Sequence, residues 1–269
     1  MAKENQGAKA ARQAAAEART AAAAAEKARE RKIRIFGGIA VVLVMGALIA
    51  VPVMQGKNKT ATVTNAVLPQ GVTKDTYGVK IGSAWTAANP DSIPKLQIWE
   101  DFQCPACGQM EQSSGAKILE LADAGKIRLE WRPTVFIDDK MVNENLAAGN
   151  PKSSRQATIG LGCAVDAGIA EKYHAAVFAS QPATEGDGYS NDALLMAAQT
   201  AGLSGSAYDT FKSCFDKKTY DGWVTNSYNA FSAEGVSSTP TGILNGTELK
   251  GDTLFDPTAL EAAVAAATK

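Results

Sequence analysis

Along the chain, hydrophobic residues form one unbroken stretch near the N-terminus and periodic patterns from residue 75 onward. The unbroken stretch is residues 35–54, twenty residues without a charged side chain. A helix of that length rises about 30 Å, which is the thickness of the hydrocarbon core of a bilayer. The pattern therefore predicts one transmembrane helix. A cleaved signal peptide, whose apolar core is shorter, and a buried core helix are the alternatives.

Three short runs after residue 74 predict β-strands. Residues 77–81 and residues 127–131 alternate apolar and polar side chains, and residues 95–99 form a further strand-like run between them. Residues 104–124 carry an apolar helical face that ends at Gly125. A strand, a helix and a strand in this order predict a βαβ unit, whose crossover implies parallel strands.

The pattern changes to helical periods over residues 135–235, with Ser153 and Ser190 as predicted N-caps. Strand signals then return, and an Asn-Gly pair at residues 245–246 predicts a two-residue hairpin turn. An Asp-Pro pair at residues 256–257 predicts the start of a last helix. The chain is thus predicted to be an α/β frame that is interrupted by a helical block.

The net charge of −1 is the sum of two unlike parts. Residues 1–34 contain nine Lys or Arg and four Glu, so this part carries +5 and the remainder carries −6. The overall balance argues against a nucleic-acid-binding protein, which needs a basic surface. The basic residues before the apolar stretch place the N-terminus in the cytoplasm and everything after residue 54 outside, by the positive-inside rule.

Four cysteines and one histidine limit the chemistry, and they exclude a metal site with several histidines. Cys104 and Cys107 form a CxxC motif at the predicted start of a helix. There, unpaired backbone N–H groups and the positive end of the helix dipole stabilise a thiolate, the attacking species in disulfide exchange. Pro105 suits the first helical turn, where its missing N–H has no intrahelical partner. A CxxC motif alone is also half of many zinc sites.

Residues 100–107, with the sequence EDFQCPAC, resemble the active-site segment of DsbA-type thioredoxin-fold oxidoreductases. The helical block is similar to the inserted helical domain of that family, and Thr239-Pro240 stands where the family has its cis-proline. The anchor and a second cysteine pair most resemble the membrane-tethered DsbA-like proteins of actinobacteria. The resemblance covers about residues 75–269. It implies a thioredoxin fold with an inserted α-helical domain, preceded by one transmembrane helix.

The resemblance also implies a role for each residue of the motif and for each part of the chain. The catalytic residues are Cys104 and Cys107, the rest of the active-site motif is Pro105 and Ala106, and the substrate-binding residues are Thr239 and Pro240. The predicted parts are a cytoplasmic tail (1–34), a transmembrane anchor (35–54), a linker (55–74), a first thioredoxin-fold half (75–134), a helical insert (135–235) and a second thioredoxin-fold half (236–269).

Two positions depart from the family pattern. Well-studied DsbA proteins carry His where this chain has Ala106, so one group that would stabilise the thiolate is missing. Many thioredoxins bury a carboxylate where this chain has Ile98. Glu100 and Asp101 lie nearer to the motif, and each is a candidate proton relay or a residue that simply ends the strand.

The other two cysteines, Cys163 and Cys214, lie 51 positions apart on predicted helices. Outside the cytoplasm, paired cysteines usually form a structural disulfide. Two unpaired buried thiols and a redox role are the alternatives. His174 is predicted to be a surface histidine or a core histidine with a satisfied partner.

These observations predict an extracytoplasmic thiol oxidase, anchored in the cell membrane, that has no cofactor and no metal. Its expected substrates are unfolded exported proteins with free cysteines, and no nucleic acid is expected as a partner. The resemblance implies a membrane reoxidant of the DsbB or VKOR type. The alternatives are a disulfide reductase or isomerase, a zinc-binding module that uses all four cysteines, and a redox-inactive chaperone.

Overall fold

Five β-strands form one mixed sheet in the part of the chain that the computed structural model describes, residues 61–140 and 153–268. They are β1 (Val79–Ile81), β2 (Lys95–Glu100), β3 (Arg128–Pro133), β4 (Thr241–Leu244) and β5 (Thr247–Glu248). Their order across the sheet is β1-β3-β2-β4-β5. β2 and β3 are parallel, and the other three neighbouring pairs are antiparallel. The parallel crossover predicted for the βαβ unit is therefore confirmed.

One long helical stretch connects β2 to β3. It consists of α1 (Pro105–Met110), a turn of π-helix (Glu111–Gly115) and α2 (Ala116–Asp123). Gly125 follows in the left-handed region, with φ of 68°, and ends the helix where the sequence predicted its end. The last helix, α9 (Pro257–Ala267), begins where Asp256 accepts hydrogen bonds from the backbone N–H groups of its first turn.

The insert between β3 and β4 is helical, as predicted. Its described helices are α3 (Phe136–Lys140), α4 (Ser153–Asp166), α5 (Ala170–Ala179), α6 (Asn191–Thr200), α7 (Gly205–Asp216) and α8 (Asp221–Ala233). The Ser190 side chain accepts a hydrogen bond from the Ala193 N–H and caps α6. A disulfide joins Cys163 on α4 to Cys214 on α7, with the two Cα atoms 6.0 Å apart.

The third strand is more buried than its alternating pattern indicated. Alternation predicts one face in solvent, yet Glu130 and Arg132 on the polar face are each 1% exposed. β3 lies between β1 and β2, and the insert covers it: Arg132 forms an ion pair with Glu234, which follows α8. The first strand is shorter than predicted, because Tyr77 takes a left-handed conformation, with φ of 56°, and cannot extend it.

Part of the predicted linker is packed on the insert. Asn226 on α8 accepts a hydrogen bond from the Val63 N–H and donates one to the Val63 carbonyl, both at 2.9 Å. The Gln70 N–H donates to Asp166 at the end of α4. Within the predicted linker (55–74), Val63 and Gln70 are therefore held in place by paired backbone groups.

The tail (1–34), the anchor (35–54) and the start of the linker lie outside the described residues. Within the residues that are described, no helix has the length and apolar character that crossing a bilayer requires.

Candidate active site

The CxxC motif lies where the central strand β2 passes into helix α1. Cys104 is the N-cap of α1, and Pro105 occupies the first helical position, as the motif predicted. Both sulfurs are free thiols in this structure. Cys104 is 6% exposed and Cys107 is fully buried. The first cysteine is thus the one that a substrate can reach.

The predicted substrate-binding loop faces Cys104. The Thr239-Pro240 peptide bond is cis, and the Cys104 thiol donates a hydrogen bond to the Thr239 carbonyl oxygen at 3.3 Å. The Thr239 side chain is buried beside it, and within the described residues its hydroxyl has no hydrogen-bond partner while Cys104 is protonated. The structure therefore brings the four residues Cys104, Cys107, Thr239 and Pro240 to one place, as the resemblance implied.

Cys104 is the more acidic thiol of the pair. A hydrogen bond from Cys107, with further ones from the Thr239 side chain and the backbone N–H groups of Cys107 and Ala106, lowers the pKa of Cys104 to about 6 against the opposing effect of burial. The donors from Ala106 and Cys107 lie in the first turn of α1, where the helix dipole also favours a negative charge. At neutral pH Cys104 is therefore mainly a thiolate, although Ala106 replaces the histidine of well-studied relatives.

Cys107 has the opposite character. Burial raises the pKa of its thiol well above the usual value, and the negative charges of Cys104 and Glu100 raise it further. Cys107 consequently holds its proton when Cys104 has lost its own. This division of roles gives the pair one nucleophile and one protonated partner.

We expect the alkylation rate of Cys104 in the reduced protein to rise with pH and to reach half of its plateau near pH 6. Only the thiolate reacts, and the pKa of Cys104 is about 6. Cys107→Ala removes the main hydrogen bond to the Cys104 sulfur and is expected to move the midpoint upward. The measurement is the rate of reaction with iodoacetamide between pH 4 and pH 9. A midpoint above pH 8 in the unmodified protein would contradict the assignment.

A buried acidic cluster lies behind the thiol pair. It consists of Glu100 at the end of β2, Glu111 at the start of the π-helical turn, and His174 on α5. His174 Nε2 lies 2.7 Å from one carboxylate oxygen of Glu100, and His174 Nδ1 lies 3.9 Å from Glu111. The other oxygen of Glu100 is buried without a hydrogen-bond donor. The ring of His174 also stacks on Trp131, with centroids 3.8 Å apart.

The cluster retains protons at neutral pH. Burial raises the pKa of Glu100 to about 8. Burial, and then the charge of Glu100, raises the pKa of Glu111 to about 8. Burial lowers the pKa of His174, so the imidazole is neutral and does not promote ionisation of the two carboxyl groups. A cavity of about 10 Å³ beside Glu100 and His174 has room for about one water molecule.

The side chains of these three residues could also be considered as metal ligands. Their potential ligand atoms lie within 4.8 Å of one another, and they form the group that meets this condition in residues 61–138 and 153–268. The hydrogen bond between Glu100 and His174 already uses two of these atoms. Glu100, Glu111 and His174 are therefore better suited to holding protons than to binding a cation. The four-cysteine zinc hypothesis is wrong, because the disulfide between Cys163 and Cys214 leaves neither sulfur as a thiolate ligand.

The structure separates the two relay candidates. The carboxylate of Asp101 accepts hydrogen bonds from the N–H groups of Gln103 and Ile137 and from the Ser154 hydroxyl. Burial and the charge of Asp138 raise its pKa, but its oxygens are occupied in holding the loop before the motif. Glu100 has a free oxygen and acts electrostatically on Cys107, so Glu100 is the better relay candidate.

His174 is a core histidine with a satisfied partner, which was one of the two predicted outcomes, but its place beside the motif was not predicted. Glu111 was missed altogether. One signal for Glu111 was available, because it lies seven residues before Ile118 and therefore on the apolar face of the same helical stretch. The sequence carries no comparable signal for His174, which reaches the site from the insert.

The comparisons with known proteins agree with this geometry. The sequence profile of a family described as "Thioredoxin" matches residues 86–265. No curated protein matches the chain at a significant level.

Solved structures of similar fold include three thiol–disulfide oxidoreductases. MdbA from Actinomyces oris is 23% identical, with a TM-score of 0.60 over 77% of this chain and 95% of its own. Oxidised Mtb DsbA is 27% identical, with a TM-score of 0.56 over 71% and 92%. Reduced DsbG from Mycobacterium tuberculosis is 26% identical, with a TM-score of 0.52 over 76% and 83%.

Proposed function

We propose, from the premise that this chain belongs to the thioredoxin family and is a protein disulfide oxidoreductase, that it works as an oxidase which introduces disulfides into exported proteins. The observation that carries this direction is the difference between the two thiols. The pKa of Cys104 is lowered to about 6, so the reduced protein is stabilised as a thiolate. A stabilised reduced form makes the disulfide a stronger oxidant.

The proposed reaction has two exchange steps. A substrate thiolate attacks Cys104 of the disulfide form, the Cys104–Cys107 bond breaks, and Cys107 leaves and takes up a proton. A second substrate thiolate then attacks the substrate sulfur of the mixed disulfide, and Cys104 leaves as a thiolate. The substrate gives up two electrons and two protons. The enzyme keeps the two electrons and one proton, and the other proton enters the solvent.

The first step requires a proton at a buried atom, because Cys107 is inaccessible to bulk water. Glu100 can supply it, since its raised pKa of about 8 keeps it protonated at neutral pH. Its partners Glu111 and His174 then share the charge that remains.

Glu100→Gln is expected to slow the reduction of the oxidised protein by a dithiol between pH 6 and pH 7.5. The amide keeps the size of the side chain but cannot donate a proton to Cys107 as an acid. We expect a loss of roughly tenfold to a hundredfold, the range in which general acid catalysis contributes. The effect should shrink above pH 8, where the carboxyl group of the unmodified protein is itself ionised.

The measurement is the stopped-flow rate of reduction across this pH range. Glu120→Gln is the matched control, because Glu120 is exposed on α2 of the same helical stretch. Equal rates for Glu100→Gln and the unmodified protein at every pH would remove Glu100 from the mechanism.

The site of action is a further part of the proposal. The uncharged stretch at residues 35–54 and the +5 charge of residues 1–34 support a single-pass anchor with a cytoplasmic N-terminus and an extracytoplasmic catalytic domain. Its substrates would be unfolded exported proteins with free cysteines. A membrane reoxidant of the DsbB or VKOR type would restore the disulfide after each turnover, and the anchor would keep the two proteins in the same membrane.

The direction of the reaction is tested by the reduction potential of Cys104–Cys107, measured by equilibration of the full-length protein with glutathione in detergent. A value toward the roughly −120 mV of a strong oxidant, together with disulfide formation in a reduced two-cysteine peptide, supports the oxidase. A value near roughly −270 mV, as in thioredoxin, would instead assign the reductase role.

A further inference from the structure

The backbone on both sides of Gln103 is held by the helical insert. The amide Nε2 of Gln181 donates hydrogen bonds to the carbonyl oxygens of Phe102, at 2.7 Å, and of Cys104, at 3.0 Å. The hydroxyl of Tyr189 donates a second hydrogen bond to the Phe102 carbonyl, at 2.8 Å. Gln181 follows α5 and Tyr189 precedes α6, so the insert supplies both donor groups of these three hydrogen bonds.

Gly108 in α1 makes room for this contact. A Cβ atom at residue 108 would lie 2.2 Å from the side-chain oxygen of Gln181. Glycine inside a helix is destabilising relative to alanine, and Gly108 is not among the residues with positive φ, so the backbone itself does not require glycine there. The close approach of the Gln181 amide is what an alanine would disturb.

The contact bears directly on the reactive sulfur. The Cys104 thiolate must stay within reach of the groups that donate hydrogen bonds to it, namely the Cys107 thiol, the Thr239 side chain and the backbone N–H groups at the start of α1. Hydrogen bonds weaken steeply with distance and angle. An amide that fixes the carbonyls of Phe102 and Cys104 therefore also fixes the geometry in which the thiolate is stabilised.

We propose that Gln181 is a positioning residue for disulfide exchange, through which the helical insert holds the Cys104 sulfur in its reactive geometry. Gln181 acts through the backbone of Phe102 and Cys104 and does not itself exchange protons or electrons. The proposal rests on Cys104 being the nucleophile and holds for either direction of the reaction. The insert is then part of the catalytic apparatus as well as a cover for the sheet.

Three variants test the contact, two at Gln181 and one at Gly108. Gln181→Glu keeps the length and shape of the side chain but replaces the donating nitrogen by a carboxylate oxygen, which faces two carbonyl oxygens. Gly108→Ala leaves Gln181 in the sequence and pushes its amide away. Gln181→Met removes the donor without adding a charge. The control is Gln199→Glu, which makes the same change at an exposed position on α6.

The readouts are the pH midpoint of Cys104 alkylation and the exchange rate with a reduced peptide at pH 6, measured on the full-length protein, with the thermal midpoint recorded for each variant. We expect all three test variants to raise the alkylation midpoint and to slow exchange about tenfold or more, since small misplacements of reacting groups are costly. Gln199→Glu should match the unmodified protein.

A purely structural role would lower the thermal midpoint and leave the other two readouts of the folded protein unchanged, and this result would overturn the proposal. So would a changed midpoint in Gln181→Glu alone, because that pattern reports only the added charge. Both outcomes are independent of the reduction potential, so they are distinguishable from a failure of the oxidase assignment.

Discussion

Cys104→Ser is expected to abolish disulfide exchange with a reduced peptide. Serine cannot form the disulfide with Cys107, so the variant has no disulfide sulfur that a substrate thiolate can attack, and Cys107 itself is fully buried. The loss should reach the detection limit, on the scale of the many orders of magnitude by which enzymes exceed the uncatalysed reaction. Oxidation that continues at the rate of the unmodified protein would eliminate Cys104 as the exchanging cysteine.

Cys107→Ser provides the complementary result. Cys104 remains available as a thiolate, so it should still form a mixed disulfide with an oxidised peptide, but no second thiol can release that peptide. The trapped adduct should therefore accumulate and be visible by mass spectrometry of the intact protein. An adduct on Cys104→Ser, or none on Cys107→Ser, would reverse the assigned roles of the two cysteines.

Removing the second pair, as Cys163→Ala with Cys214→Ala, should destabilise the protein while leaving exchange intact. In the chain-entropy picture, a bridge across 51 residues stabilises the folded state by roughly 4 kcal/mol. For a domain of this size that corresponds to a decrease of about 8–16 °C in Tm. Thermal and urea denaturation of the oxidised proteins measure the difference.

The matched control removes the other pair, as Cys104→Ala with Cys107→Ala. That variant should lose exchange activity and keep its bridge between α4 and α7, so its unfolding should stay close to that of the unmodified protein. If the loss of Cys163 and Cys214 slowed exchange and left Tm unchanged, the second pair would have a redox role, which the sequence alone left open.

The predictable parts of this fold are those whose signals are local. The Asn245–Gly246 pair takes positive φ at both residues, 47° and 81°, as a two-residue hairpin turn requires. Asp256 caps α9 through its own side chain. The CxxC motif at a strand-to-helix junction fixes the location of the chemistry, because a helix N-terminus is defined by a few neighbouring residues.

The parts that escaped prediction depend on distant contacts. Helix α5 contains four alanines and no clear apolar stripe, and it becomes recognisable only when Tyr173, Val177 and Phe178 are seen in the core. The pairing of His174 with Glu100 spans 74 positions. Glu130 looked like a solvent-facing residue, but it accepts a hydrogen bond from Gln97 on the neighbouring strand. Periodicity within one segment contains no information about such partners.

The docked segment at Val63 has a consequence for how far the catalytic domain can travel. The proposed anchor ends at residue 54, and Asn226 binds the backbone of Val63. Residues 55–62 are therefore the connection between the anchor and the catalytic domain. Eight residues span at most about 29 Å when fully extended. A domain held this close to its anchor can meet a partner in the same membrane by diffusion in two dimensions. Such a partner would have to present its own disulfide close to the membrane surface.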